Sequence, residues 1–195
     1  MKVVLATKNL GKVAELERIL SPYGVDLVPA SYEPGPETGA SFAENALAKA
    51  LEGVAHSGLP SVADDSGLTV DALNGMPGIL SARWAGRHGD DIANLSLVLG
   101  QLADVPDGRR GAAFVCAAAY ALPDSSSACV EGVLRGSLLR APRGSNGFGY
   151  DPIFVPEGYD VTSAELAPDD KDAISHRGQA FRALGPLLAA ALGTR

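Results

Sequence analysis

Ser61-Val62-Ala63-Asp64-Asp65-Ser66-Gly67-Leu68 decides how the rest of the chain is read. A short apolar run ends in two adjacent carboxylates, a hydroxyl and a glycine, and a second alternating run, Leu68, Val70 and Ala72, follows at once. Period-two alternation on both sides of Ser66-Gly67 predicts strand, turn, strand. Consecutive side chains on a strand point to opposite faces, so Asp64 and Asp65 do not both serve one site directly. A carboxylate projecting from the turn offers the hard oxygen ligand that Mg²⁺ prefers, or a base for water. Turns also favour Asp, Ser and Gly for conformational reasons alone, so the stretch by itself leaves both readings open.

Upstream, Lys2–Thr7 is β-branched and apolar and reads as a first strand. Thr7-Lys8-Asn9-Leu10-Gly11-Lys12 then leads into Val13, Leu16, Ile19 and Leu20 at helical spacing, stopped by Ser21-Pro22. A strand, a loop with Thr, Asn, Gly and Lys, and a helix N-terminus form a natural cradle for phosphate. It lacks the two spaced glycines and Lys-Ser/Thr of the nucleotide-binding P-loop. Val25–Pro29 reads as a second strand. The stretch 30–40, with Pro34, Gly35, Pro36 and Gly39, reads as a mobile loop. A helix is predicted from Ser41 to about His56, with Ala43, Leu47, Ala50, Leu51 and Val54 on one face. Ser41-Phe42-Ala43-Glu44 is a capping box, which gives Glu44 a structural role beside a metal-binding one. Asn45 and Lys49, one turn apart, share a face.

Downstream, Gly75-Met76-Pro77-Gly78 is a loop leading to Arg83, a candidate phosphate contact, and Trp84, a core or dimer contact. Asp90–Leu102 predicts a helix capped by Asp90 or Asp91, with Ile92, Leu95, Leu99 and Leu102 inward. Ala112–Leu122 and Ala128–Leu139 predict a long antiparallel pair. His56 and His88 are read as solvated. The glycines of Arg140–Gly149 let backbone approach a ligand closely, and Phe148 among them reads either as a ring that stacks on a base or as a core Phe beside a tight turn. Ser175 is a predicted N-cap for a C-terminal helix carrying Phe181, Leu184, Leu188 and Leu192, kinked at Pro186. His176 and Arg177 then sit at the positive helix end, against the macrodipole, which hints at a bound anion.

The 195 residues suit one domain with a sizeable core. A net charge of −7 argues against nonspecific binding to nucleic acid polymers or acidic membranes, while a local cationic pocket can still bind an anion. Of the 16 basic residues five are lysines, and four of those (Lys8, Lys12, Lys49, Lys171) fall inside the motifs named here. Cys116 and Cys129 form neither a metal spacing nor a disulfide framework, which fits a reducing cytoplasm. The N-terminal apolar run is too short for a signal peptide, and no run is long enough to span a bilayer.

Each motif alone has a structural explanation; as a set in this order they resemble the inosine triphosphate pyrophosphatase-like family, the XTP/dITP diphosphatases. The matching segments are Thr7–Lys12, Phe42-Ala43-Glu44-Asn45-Ala46 with Lys49, Ala63–Leu68, Pro77-Gly78 with Ser81-Ala82-Arg83, Phe148-Gly149-Tyr150-Asp151-Pro152, and Lys171 with Ser175-His176-Arg177. The resemblance implies one two-lobed α/β domain over 1–195: a curved mixed β-sheet, flanking helices and a central nucleotide cleft. It also implies a homodimer, an Mg²⁺ requirement, and hydrolysis of ITP, dITP and XTP to nucleoside monophosphate and pyrophosphate. Asp65 is then general base and metal ligand, with Glu44 a second ligand. Thr7, Lys8, Asn9, Leu10, Gly11 and Lys12 hold the triphosphate, and Ser66 contacts substrate. Phe148, Gly149, Tyr150, Asp151, Lys171, His176 and Arg177 hold the base and nearby sugar or phosphate. Lys8 stands where many relatives have Gly, and Trp84 where Tyr is commoner. A related pyrophosphatase of different base preference, and a sensor that binds nucleotide without turnover, are the alternatives.

Overall fold

The computed structural model describes residues 1–7 and 10–193, and for residues 10–12, 14 and 15 it describes the backbone alone. The described strands form one six-stranded sheet in the order β2-β1-β3-β4-β5-β6. These are β1 (Lys2–Leu5), β2 (Asp26–Pro29), β3 (Ser61–Val70), β4 (Gly111–Ala121), β5 (Ser127–Leu138) and β6 (Phe154–Pro156). The helices are α1 (Leu10–Leu20), α2 (Phe42–Ser57), α3 (Asp91–Gln101), α4 (Pro168–Ile174) and α5 (His176–Ala191). β1 runs parallel to β2 and β3, whereas β5 and β6 are antiparallel, so the sheet is mixed as the resemblance implies. The chain divides into two compact units, one of Met1–Asp65, Cys116–Gly132 and His176–Arg195, the other of Ser66–Val115 and Val133–Ser175.

In the first unit strand alternation sorts two layers. Val62, Cys116, Ala118, Tyr120 and Leu122 join Leu16, Phe181, Leu184 and Leu188 in one cluster. Ala63, Ala117, Ala119 and Ala121, the residues between them, join Ala46 and Ala50 of α2 in another. β4 is thus buried on both faces, which explains its near-continuous apolar run. The alanine layer brings α2 close to the sheet, so its buried face is Asn45, Ala46, Ala50 and Gly53. Of the expected face Ala50 is buried and Ala43, Leu47 and Val54 pack against that layer, whereas Leu51 is 45% exposed. Ser41 caps the helix by accepting from Glu44 N–H (3.1 Å), and Glu44 Oε2 accepts from Ala40 N–H (2.8 Å), one residue before the expected partner. α5 continues through Pro186 without a break. Pro186 has no N–H for the Arg182 carbonyl, and the Tyr23 hydroxyl donates to that oxygen instead (3.2 Å).

The second unit corrects the strand–turn–strand reading. β3 is one continuous strand through Ser66-Gly67. A Cβ at residue 67 would fall on the Ser81 side chain and the Gly78 carbonyl, so the glycine serves close packing and not a turn. Leu68 N–H donates to Ser81 Oγ (2.9 Å), which fixes that contact. Leu68, Val70, Leu95, Val98, Leu102, Phe114, Leu138, Ile153 and Phe154 form the core. α3 starts after Asp90, whose carboxylate accepts from Ala93 N–H (3.1 Å), but Ile92, expected inward, is 81% exposed. Arg110 is buried with its guanidinium donating to the carbonyls of Leu102, Leu138 and Leu139.

Candidate functional site

The chemistry of the first unit gathers around β3, where alternation separates the paired carboxylates. Asp65 follows Ala63 toward α2, and Asp64 follows Val62 toward α5. Asn45 Nδ2 donates to Asp65 Oδ2 (3.0 Å) and Lys49 Nζ to Asp65 Oδ1 (3.0 Å). Lys49 also donates to the Asp64 carbonyl (3.1 Å) and pairs with Glu37 Oε1 (2.5 Å). One ammonium therefore sits between two carboxylates. Burial pushes the Asp65 carboxyl above the usual carboxylate range; Lys49 opposes this, and Glu37 adds to it. Burial works against the charged form of Lys49, but Asp65, Asp64 and Glu37 outweigh it and hold the ammonium protonated.

On the other face Arg177 Nε donates to Asp64 Oδ2 (3.3 Å), and both side chains are buried. The Cys116 thiol also faces that oxygen (3.9 Å). The cation at the start of α5 thus has a protein carboxylate beside it. His176 is buried one residue earlier. Thr7 is half-buried beyond β1. Lys8 and Asn9 lie outside the described residues, as do the side chains of Leu10 and Lys12, and Gly11 is described by its helical backbone alone.

Glu37 was not singled out by sequence reasoning. Its signal is slight: a carboxylate between Pro36 and Gly39 just before the capping box. The loop around it, read as mobile, is tied to α2, with Gly39 N–H donating to Asn45 Oδ1 (2.8 Å) and Gly35 N–H to Glu52 (3.0 Å). His56, read as solvated, stacks on Tyr32.

In the second unit the 3-10 turn Asp151–Ile153 and α4 assemble a second cluster. Asp151 is buried and its Oδ2 accepts from Phe148 N–H (2.9 Å) and Lys171 Nζ (2.5 Å). Lys171 Nζ also lies 5.3 Å from the centroid of the Phe148 ring, a cation–π distance. Gly147, at φ +75°, leaves no room for a Cβ beside Asp151 and Lys171. Phe148 keeps 37% of its surface exposed. Gly149 N–H donates to Asp91 Oδ2 (2.8 Å) and the Tyr150 hydroxyl to the Ser81 carbonyl (2.8 Å). Ser66 and Arg83 are half-buried. Trp84 packs on the core with Nε1–H donating to Gln101 Oε1 (2.9 Å).

Among the described residues no three His, Cys, Asp or Glu side chains cluster as a ready metal site. The Lys49 ammonium lies between the oxygens of Asp65 and Glu37 and neutralises them; carboxylates such as those of Asp65 and Glu44 are the donor type a hard cation takes. Among the described residues no helix is long and apolar enough to cross a membrane.

The fold is a mixed α/β sheet that carries a buried carboxylate–lysine centre on one of its central strands. The chain belongs to the Ham1 family, whose model matches residues 3–187. A relative from Mycobacteroides abscessus named dITP/XTP pyrophosphatase is 60% identical over 195 residues, covering 96% of this chain and 95% of the relative. A crystal structure described as nucleoside-triphosphatase / dITP/XTP pyrophosphatase from Mycobacterium abscessus matches at 61% identity and TM-score 0.78, covering 94% of this chain and 98% of that one. A HAM1 protein from Coxiella burnetii matches at 41% identity and TM-score 0.89, covering 97% and 99%.

Proposed function

We propose that this chain hydrolyses the deaminated purine nucleoside triphosphates ITP, dITP and XTP to the nucleoside monophosphate and pyrophosphate, clearing them from the nucleotide pool. The names of its near full-length relatives support the reaction. The observation that carries the chemistry is Asp65: buried, raised in proton affinity, and held by Asn45 and Lys49. A general base works best with a pKa raised toward the operating pH.

In this reading water attacks the α-phosphorus, its proton passes to Asp65, and the bond from the α-phosphorus to the bridging oxygen breaks to release pyrophosphate. Lys49 fixes the orientation of the Asp65 carboxylate. Thr7, Lys8, Asn9, Leu10, Gly11 and Lys12 hold the triphosphate, with N–H groups at the start of α1 facing the anion. Mg²⁺, when bound, supplies charge neutralisation on the phosphate oxygens and the leaving pyrophosphate. Asp65 and Glu44 would hold it, as carboxylates of the oxygen type that Mg²⁺ takes. Positioning and charge stabilisation suffice for phosphoryl transfer, so no covalent nucleophile is needed.

Ser66 contacts substrate, and Phe148, Gly149, Tyr150, Asp151, Lys171, His176 and Arg177 hold the base and its sugar or phosphate. The exposed Phe148 ring supports the stacking role. A donor facing the purine 6-oxo group would oppose the 6-amino group of adenine, at roughly 1–3 kcal/mol for an unsatisfied group. We read the protein as a homodimer acting in the cytoplasm on free nucleotides; the acidic net charge and two free cysteines support that setting.

The test is Mg²⁺-dependent pyrophosphate release from ITP, dITP, XTP, GTP, ATP, UTP and dTTP. Release from the first three, lost with a chelator and restored by Mg²⁺, is expected. Asp65→Asn should fold normally and lose turnover by at least about 100-fold, the low end for removing a general base. Near-normal turnover of Asp65→Asn refutes the base assignment, and equal turnover of ATP and ITP refutes the substrate assignment.

A further inference from the structure

Asp91 is the second of two aspartates at the start of α3, and the sequence leaves open which of them caps the helix. Asp90 does so: its Oδ1 accepts from Ala93 N–H (3.1 Å). The Asp91 carboxylate sits in the first turn, where the helix dipole favours negative charge, and it bonds a residue 58 positions away. Its Oδ2 accepts from Gly149 N–H at 2.8 Å.

Gly149 N–H belongs to the peptide that follows the Phe148 Cα. The peptide that precedes it is held by Phe148 N–H, which donates to Asp151 Oδ2 (2.9 Å). Each peptide plane flanking Phe148 is therefore bound to a carboxylate oxygen. Together those planes set φ and ψ of Phe148, and with them the direction of its Cα–Cβ bond. The two bonds differ in reach. Asp151 lies in the same turn, and its N–H returns to the Phe148 carbonyl (3.3 Å), so that bond orders the turn within itself. Asp91 instead ties the turn to a helix packed into the core of this unit through Leu95 and Val98. Gly147 and Gly149, at φ +75° and +62°, supply a backbone that needs such a tie, since glycine loses the most conformational freedom on ordering. A carboxylate makes the tie a charge-assisted bond, roughly twice as strong as a neutral one.

We propose that Asp91 is a positioning residue for base recognition: through Gly149 N–H it fixes the backbone angle at which Phe148 offers its exposed ring to the purine. The proposal rests on the stacking role given to Phe148 above. Asp91 acts through Phe148 and not by touching the nucleotide.

The test is a double-mutant cycle between Asp91 and Phe148, read as kcat and KM for ITP beside melting temperature. Asp91→Ala should raise the KM for ITP by about 5–10-fold, the low end of what one stacked base contributes, with kcat retained. Asp91→Asn, whose amide oxygen still accepts from Gly149 N–H, should return KM most of the way to the wild-type value. In the Phe148→Ala background Asp91→Ala should have no further effect on KM, because no ring is left to aim. Equal effects of Asp91→Ala with and without the Phe148 ring overturn the proposal, as does an unchanged KM in the folded single variant. A KM for Asp91→Asn as high as for Asp91→Ala overturns it too, since charge and not the hydrogen bond would then matter. Should Asp91→Ala fail to fold, Asp91→Ser, too short to span to Gly149, replaces it in the cycle. An unchanged KM for Phe148→Ala overturns the stacking role itself, a result distinct from failure of Asp91 alone.

Discussion

Arg177→Met should destabilise the protein far more than a surface charge change does. Arg177 Nε lies 3.3 Å from Asp64 Oδ2, with side-chain exposures of 3% and 0%. At that separation two unit charges attract by about 5 kcal/mol for an effective dielectric near 20. Removing one partner of a buried pair costs about 3–5 kcal/mol, because a charge remains in a low-dielectric setting. The thiol of Cys116 is too weak a donor to replace a guanidinium. For a chain of this length each kcal/mol lowers the melting temperature by about 2–4 °C, so a fall of about 6–20 °C is expected. Urea denaturation and calorimetry measure it, and Asp64→Asn completes a double-mutant cycle. Asp64→Asn should cost less in the Arg177→Met background than in the wild type, with coupling of about 1–3 kcal/mol. A loss below about 1 kcal/mol on Arg177→Met, or strict additivity in the cycle, would show that the ion pair does not hold these elements together.

Two further outcomes follow from packing and titration. Burial, and then Asp91, push the Tyr150 phenol well above its ordinary value. Its folded pKa is raised, so its contribution is fully present below the unfolded value of about 10 and is lost as pH rises toward the folded one. Denaturation midpoints should therefore fall above pH 10, less steeply in Tyr150→Phe, and identical alkaline slopes would refute this. Gly53→Ala drives a methyl group into Ser61 and should cost about 1–3 kcal/mol by thermal melting. Ser61→Gly should recover part of that loss, and no recovery would place the clash elsewhere.

Much of the architecture was legible in local patterns. The N-cap at Ser41 and the stop at Ser21-Pro22 were readable because caps and breakers act within a few residues. The long apolar runs of β4 and β5 were readable because strand propensity is also local. Local patterns misled where a neighbour distant in the chain set the outcome. Ser66-Gly67 looks like a turn, yet Ser81 and Gly78 press on it and the strand continues. Leu51 and Ile92 have helical spacing, but the alanine layer against α2 and the core against α3 leave them exposed.

The candidate site divides along the same line. That Asp64 and Asp65 point opposite ways was fixed by the two-residue period of a strand, so their separation was present in the order of residues. Which partner each meets was decided by tertiary structure alone. Asp64 pairs with Arg177 across 113 residues, and Asp65 reaches Lys49 across 16 and through it Glu37. Backbone periodicity and capping are short-range steric properties encoded next to one another, whereas pairing of buried charges depends on which elements pack together. No spacing rule carries that across a hundred residues.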